Sequence, residues 1–144
     1  MTSIYLEGLQ KIGQLDPVPV DPARIARIAA SARQQLKDAN LEQASNETRF
    51  DCAYNAIRAI ADIALLREGL RTSTSKPGHH QTAIQSLEHT LGVDIASVRT
   101  LDVLRRQRNS SNYDGEGVTE AALAECLKQA GALMVRLDEM LKQK

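Results

Sequence analysis

The chain has no tryptophan, one phenylalanine and three tyrosines. A core so poor in aromatics has to be filled by aliphatic side chains and alanine, which suits packed helices. Cysteine is nearly as scarce. Cys52 and Cys126 fall inside helical patterns, with no CxxC spacing and no histidine nearby. That excludes a disulfide framework and predicts two unpaired, buried thiols in a reducing compartment. Neither sign of charge dominates, because Lys plus Arg and Asp plus Glu both total 18. No global field is available to hold nucleic acid or a membrane surface. No apolar run approaches membrane-spanning length and the N-terminal segment lacks a signal-peptide core, so a soluble, cytoplasmic protein without a membrane partner is expected. At 144 residues the chain is long enough to bury a real core as one domain.

What the chain does have is an uneven spread of charge. Arg99, Arg105, Arg106 and Arg108 cluster with only Asp102 against them, and Asp114, Glu116, Glu120 and Glu125 follow without a basic residue. A local basic patch of this kind is compatible with phosphate recognition. The patch lies in the segment from Leu101 to Gly115, which begins as an amphipathic helix and ends as a knot of polar groups. Leu101, Leu104 and Arg108 are three and four residues apart and share one helical face. A guanidinium therefore stands on the apolar stripe where a hydrophobic residue is due. Asp102, Arg106, Asn109 and Tyr113 form a second stripe beside it. An arginine turned inward stays charged and needs anionic or carbonyl partners for its five donors. The competing explanation is helix-end chemistry, in which Arg105 and Arg106 offset exposed carbonyls and Gly115 stops the helix.

The remaining elements read in order. Residues 3–13 make a short helix on Ile4, Leu6, Leu9 and Ile12, and Pro17-Val18-Pro19 forces an extended connection. Asp21-Pro22 is a helix start, with aspartate as cap and proline at the first helical position, and that helix runs to about Leu41. A second starts at Asn46 and repeats Phe50, Ala53, Tyr54, Ile57, Ala61, Ala64 and Leu65 up to Gly69. On its sides Asp51 and Asp62 are placed to approach the later arginines. Residues 70–77, rich in Ser and Thr, read as a solvated connector, although hydroxyls and cations of this kind also suit phosphate.

Pro77 opens a third helix on which His80, Ile84, Leu87 and Leu91 align before Gly92. His79 and His80 resemble half a metal site, but adjacent helical side chains point about 100° apart. No metal and no cofactor are assigned, and His80 is read as a hydrogen-bonded histidine of the core or an interface. Asp94 caps the fourth helix. The last helix, after Gly115 and Gly117, carries Leu123, Leu127, Ala130, Met134, Leu137 and Leu141 as a bundle seam. No β-hairpin signal is present. The expected fold is all-α, an antiparallel bundle of four long helices plus a short additional helix. Residues 1–20 form the short helix and connector, and residues 21–144 the bundle domain.

No familiar catalytic motif occurs, but the order of three segments resembles the HEPN domain family. These are Arg49 to Arg58 (RFDCAYNAIR), Lys76-Pro77-Gly78-His79-His80, and Arg105-Arg106-Gln107-Arg108-Asn109 through Tyr113. The resemblance spans roughly residues 21–142. It implies a helical bundle that is usually dimeric. Many such proteins are metal-independent ribonucleases of toxin–antitoxin or defence systems, and others are non-catalytic partners of nucleotidyltransferases.

Catalytic members carry an arginine and then, after four to six residues, a histidine near the end of a late helix. Arg108 with Asn109 matches the first half. Tyr113 stands where the histidine is due, and all three histidines lie upstream. RNA cleavage needs a group titrating near neutrality, and a tyrosine with a pKa of about 10 substitutes poorly. The first implied function is therefore a HEPN-like module that binds a nucleotide, RNA or a protein partner through Arg105, Arg108, Asn109, Asn112 and Tyr113. The second is a metal-independent ribonuclease with Arg108 and Tyr113 as its catalytic pair. The third is a structural or dimerisation bundle. Expected partners are a second copy in a homodimer, with Arg108 and Tyr113 near its interface, and RNA, a nucleotide, a nucleotidyltransferase or an antitoxin.

Overall fold

Every helix but one starts where a short polar side chain can accept from its first free N–H groups. The structure is a computed structural model that describes residues 3–114 and 117–142, the side chains of residues 110–114 excepted. Helix α1 (Ile4–Lys11) is capped by Ser3, and α2 (Pro22–Ala39) by Asp21, whose Oδ1 accepts from the amides of Ala23 and Arg24. Helix α3 (Asn46–Arg67) starts from Ser45, whose hydroxyl accepts from the Thr48 amide at 3.1 Å. Asp94 and Thr119 do the same for α5 (Ile95–Asp114) and α6 (Glu120–Lys142). The exception is α4 (His79–Thr90), which follows Gly78 at φ 78° and has no side-chain cap. Pro77 thus lies outside α4.

Helix α3 is the centre of the packing. Buried residues occur on nearly every side of it, from Phe50 to Leu66, the pattern of a helix surrounded by protein. It packs on α2, α6 and α4, and more lightly on α5. The seam of α6 is buried at Leu123, Cys126, Ala130, Leu133, Met134 and Leu137. Phe50 and Tyr54 are the largest fully buried side chains, and aliphatic residues and alanines make up most of the remaining core.

The chain is mostly helical, but it also holds a small sheet that the all-α reading lacks. Strand β1 (Leu15–Pro17) pairs antiparallel with β2 (Leu70–Thr72), in the register Leu15 to Thr72 and Pro17 to Leu70. Backbone bonds from Val18 to Gly69 and from Ser73 to Gln14 extend it at both ends. Leu15, Leu70, Thr72 and Ser73 are buried, so the start of the 70–77 segment is part of the interior rather than a solvated connector. Three-residue strands are too short to show an alternating pattern, and their partners are far apart in sequence. The sheet holds α1 against the body, where the Tyr5 ring stacks on His89 at 4.1 Å. Among the described residues, no helix is long and apolar enough to cross a membrane.

Both cysteines are free thiols. Cys126 is buried, donates to the Phe50 carbonyl at 3.9 Å, and has its thiol pushed up to about 12 by burial, with Asp51 adding to the effect. Cys52 is only half-buried, and burial followed by Asp38 and Asp51 raises its thiol. The thiolate is the reactive form. In native protein at pH 8, Cys52 should label slowly with an alkylating reagent, and Cys126 only on unfolding. Equal rates followed by peptide mass spectrometry would contradict this packing.

Candidate functional site

The buried helix α3 carries a polar stripe, Asp51, Tyr54, Arg58 and Asp62, at spacings of three, four and four. Residues so spaced share a face. On α5 the buried Leu101 and Leu104 turn the same side of the helix toward the core, and Arg108 arrives next on that side. The first turn of α4 brings His79 and His80. Helix α4 packs on both α3 and α5, which gathers the three sets of polar groups at one junction.

Arg108 is the centre of this junction. Its guanidinium carbon lies 5.0 Å from the centroid of the Tyr54 ring, within cation–π range. Its Nε is 3.5 Å from Asp51 Oδ1, an ion-pair distance without hydrogen-bond geometry. Two buried polar atoms on these contacting side chains, Arg108 Nε and the Tyr54 hydroxyl, have no hydrogen-bond partner among the described residues. Tyr54 is 1% exposed. An orphaned buried polar group costs about 1–3 kcal/mol, so its retention wants an explanation.

The other charges around it are paired. Arg105 Nε and Arg106 Nη2 both bind Asp102, each at 3.0 Å, and Arg58 Nε binds Asp62 at 3.2 Å. Among the described residues of this junction, four guanidiniums face three carboxylates, which leaves positive charge in surplus. Burial raises the Tyr54 phenol, opposed by Arg58, Arg108 and Arg105. Burial also raises the Asp62 carboxyl despite its bond to Arg58. His80 responds most: burial first, then Arg58, His79, Arg108 and Arg105, bring it down to about 4. Its imidazole is neutral at pH 7.

The structure places the site residues read from the sequence in different surroundings. Arg108 is turned inward beside Asp51, as its stripe requires. Arg105 and Arg106 do not cap the helix, because α5 continues to Asp114 and both arginines are bonded to Asp102 instead. Asp62 pairs with Arg58 of its own helix and not with the later arginines. Asn109 is exposed. The side chains of Asn112 and Tyr113, and Gly115, lie outside the described residues. In the 70–78 segment the Ser73 and Ser75 hydroxyls bond to each other at 2.9 Å. The His79 and His80 rings meet edge to face at 4.8 Å, and among the described residues no three His, Cys, Asp or Glu side chains converge as a metal site needs. Sequence reasoning did not assign Tyr54, Arg58 and His80 to the site. The polar stripe along the most buried helix was the signal for the first two.

Guanidiniums in excess, unpartnered buried donors and a neutral imidazole can together receive a tetrahedral oxyanion. The chain matches no protein-family model and is not significantly similar to any curated protein.

The depressed His80 pKa sets a sign for stability. Between the ordinary histidine value of 6.5 and about 4, the unfolded chain takes up a proton that the folded site refuses. Stability should therefore decline as pH falls through that window, and His80→Gln should lose this component of the decline. Urea midpoints of parent and variant at pH 7 and pH 4.5 check it, and parallel shifts in the two proteins would refute it.

Proposed function

We propose that the chain is a HEPN-like module that binds the phosphate of a nucleotide or RNA at the junction of α3, α4 and α5. In this reading α2, α3, α5 and α6 are the four long helices of an antiparallel bundle, and Arg108 is the principal phosphate ligand. The observation that carries it is the Arg108 guanidinium on the Tyr54 ring, with Nε and the Tyr54 hydroxyl buried and unpartnered. A bound anion would satisfy these buried donors. A scaffold alone gains nothing from leaving them unsatisfied. Arg105 and Asp102 orient the rim, and Asn109 is exposed for contact with the remainder of the ligand. The same reading includes a homodimer, and a nucleotidyltransferase or antitoxin as protein partner.

Arg108→Ala should weaken binding of a nucleotide or a short RNA by about ten- to a hundredfold, the value of a charge-assisted contact of roughly 1.5–3 kcal/mol. Tyr54→Phe gives the sharper result. Removing an orphaned buried hydroxyl should leave the melting temperature unchanged or raised while affinity falls. A structural role for the hydroxyl predicts the opposite, a lowered melting temperature with affinity intact. Incubation with RNA in the presence of chelator completes the test. Persistent absence of cleavage agrees with a binding module, and cleavage would favour a ribonuclease.

A further inference from the structure

Arg108 already faces an anion of its own chain. The Asp51 carboxylate stands 3.5 Å from its Nε. A charge-assisted hydrogen bond between such groups is shorter, about 2.7–2.9 Å. The contact therefore offsets the arginine's charge without satisfying its donor, and Nε stays unpartnered among the described residues. The neighbouring arginines are held differently. Arg105 and Arg106 both meet Asp102 at 3.0 Å within α5, and Arg58 meets Asp62 at 3.2 Å within α3. Of these four ion pairs, Asp51–Arg108 is the longest, and it is the one that joins two helices.

We infer that Asp51 is a built-in competitor, a carboxylate that holds the Arg108 guanidinium in the free protein and gives way when a phosphate binds there. This rests on the phosphate-binding reading above and adds the regulation of that site. Position supports it. The Asp51 side chain is 45% exposed and that of Arg108 25%, so the pair lies toward solvent, against the buried Tyr54. An anion arriving from water meets this pair before the Tyr54 hydroxyl. A half-exposed carboxylate can also return to water when it leaves its arginine, so its departure strands no buried charge.

The exchange does not require Arg108 to move. Its guanidinium carbon lies 5.0 Å from the Tyr54 ring centroid, and that cation–π contact holds the group independently of Asp51. Asp51 at 3.5 Å supplies charge without a short hydrogen bond. A phosphate has several acceptor oxygens and supplies both, to Nε and to the buried hydroxyl beside it. The carboxylate thus sets a threshold. A ligand has to outbid an intramolecular anion already in place, and one that offers charge alone gains nothing by the exchange. Asp62 and Asp102 cannot compete in the same way, because each is hydrogen-bonded to an arginine of its own helix.

The test uses the full chain, with 5′-AMP and a 5′-phosphorylated oligoribonucleotide as probes for a free nucleotide and for RNA. Whichever binds more tightly identifies the source of the phosphate and is carried through the variants. Asp51→Asn keeps the shape of the side chain and removes its charge. It should raise affinity about fivefold, the upper end for a partly exposed ion pair. The gain should vanish when Arg108→Ala is added, because competition acts through that guanidinium, whereas a general effect of charge would persist. Asp51→Glu retains the charge and should bind no better than the parent. In the unmodified protein, the Asp51 carboxyl carbon resonance should move during titration with the midpoint of binding, a readout that needs no variant to fold. A folded Asp51→Asn that binds no better than the parent, a gain that survives beside Arg108→Ala, or a stationary Asp51 resonance would overturn the inference. If such a result comes with a large loss of affinity in Arg108→Ala, the phosphate-binding reading survives and only the competitor falls. If Arg108→Ala binds like the parent, or neither probe binds parent or Asp51→Asn at millimolar concentration, both fall.

Discussion

A helix buried on nearly every side has few places to put a polar group, and α3 has four to accommodate along one stripe. Asp51, Tyr54, Arg58 and Asp62 share one face of α3, with Tyr54 buried and the two carboxylates partly exposed, beside a core face that holds Phe50, Ile57 and Ile60. The solution is a polar seam sealed by two other helices. Helix α4 approaches with a pair of histidines, and α5 with an arginine at the end of a leucine stripe. Most charges of the seam meet an opposite charge, and two of its buried polar atoms, Arg108 Nε and the Tyr54 hydroxyl, have no hydrogen-bond partner among the described residues.

The ion pairs here are organisers more than sources of stability. Arg106 is 65% exposed, and the carboxylate facing Arg108 is nearly half exposed, so solvent screens both pairs and each is worth little. Asp102 pairs with both Arg105 and Arg106 along α5 and fixes where their guanidiniums lie. Repulsion among guanidiniums is the price of concentrating them. It is bearable on the protein's own account only while the carboxylates stay ionised.

Much of the helical framework was legible in the residues themselves. Asp21-Pro22 and Asp94 announced helix starts, Gly69 and Gly92 marked ends at positive φ, and the three-and-four repeat of α3 and α6 was unbroken. Arg108 was legible as anomalous because it occupied a leucine's place. Tyr54 was not, since a tyrosine on an apolar stripe looks like core until its hydroxyl is seen to lack a partner. His80 was hidden for another reason. Its neighbours Arg58 and Arg105 come from different helices, and no local spacing encodes that meeting. The sheet was invisible for the same cause, with three-residue strands contributed by distant parts of the chain.

That small sheet has a kinetic meaning. Helices α2 and α3 are neighbours in sequence and can pair after closing one short turn, the kind of local contact that forms early. The strands β1 and β2 enclose both of those helices in the loop between them, so their pairing must wait for the intervening chain to compact. The segment leading into α4 is anchored by β2, and with it the turn that bears His79 and His80. The frame of the molecule is thus built from near neighbours, whereas its charged junction is completed by a late, long-range closure. A chain of this order closes its polar junction after its helical frame.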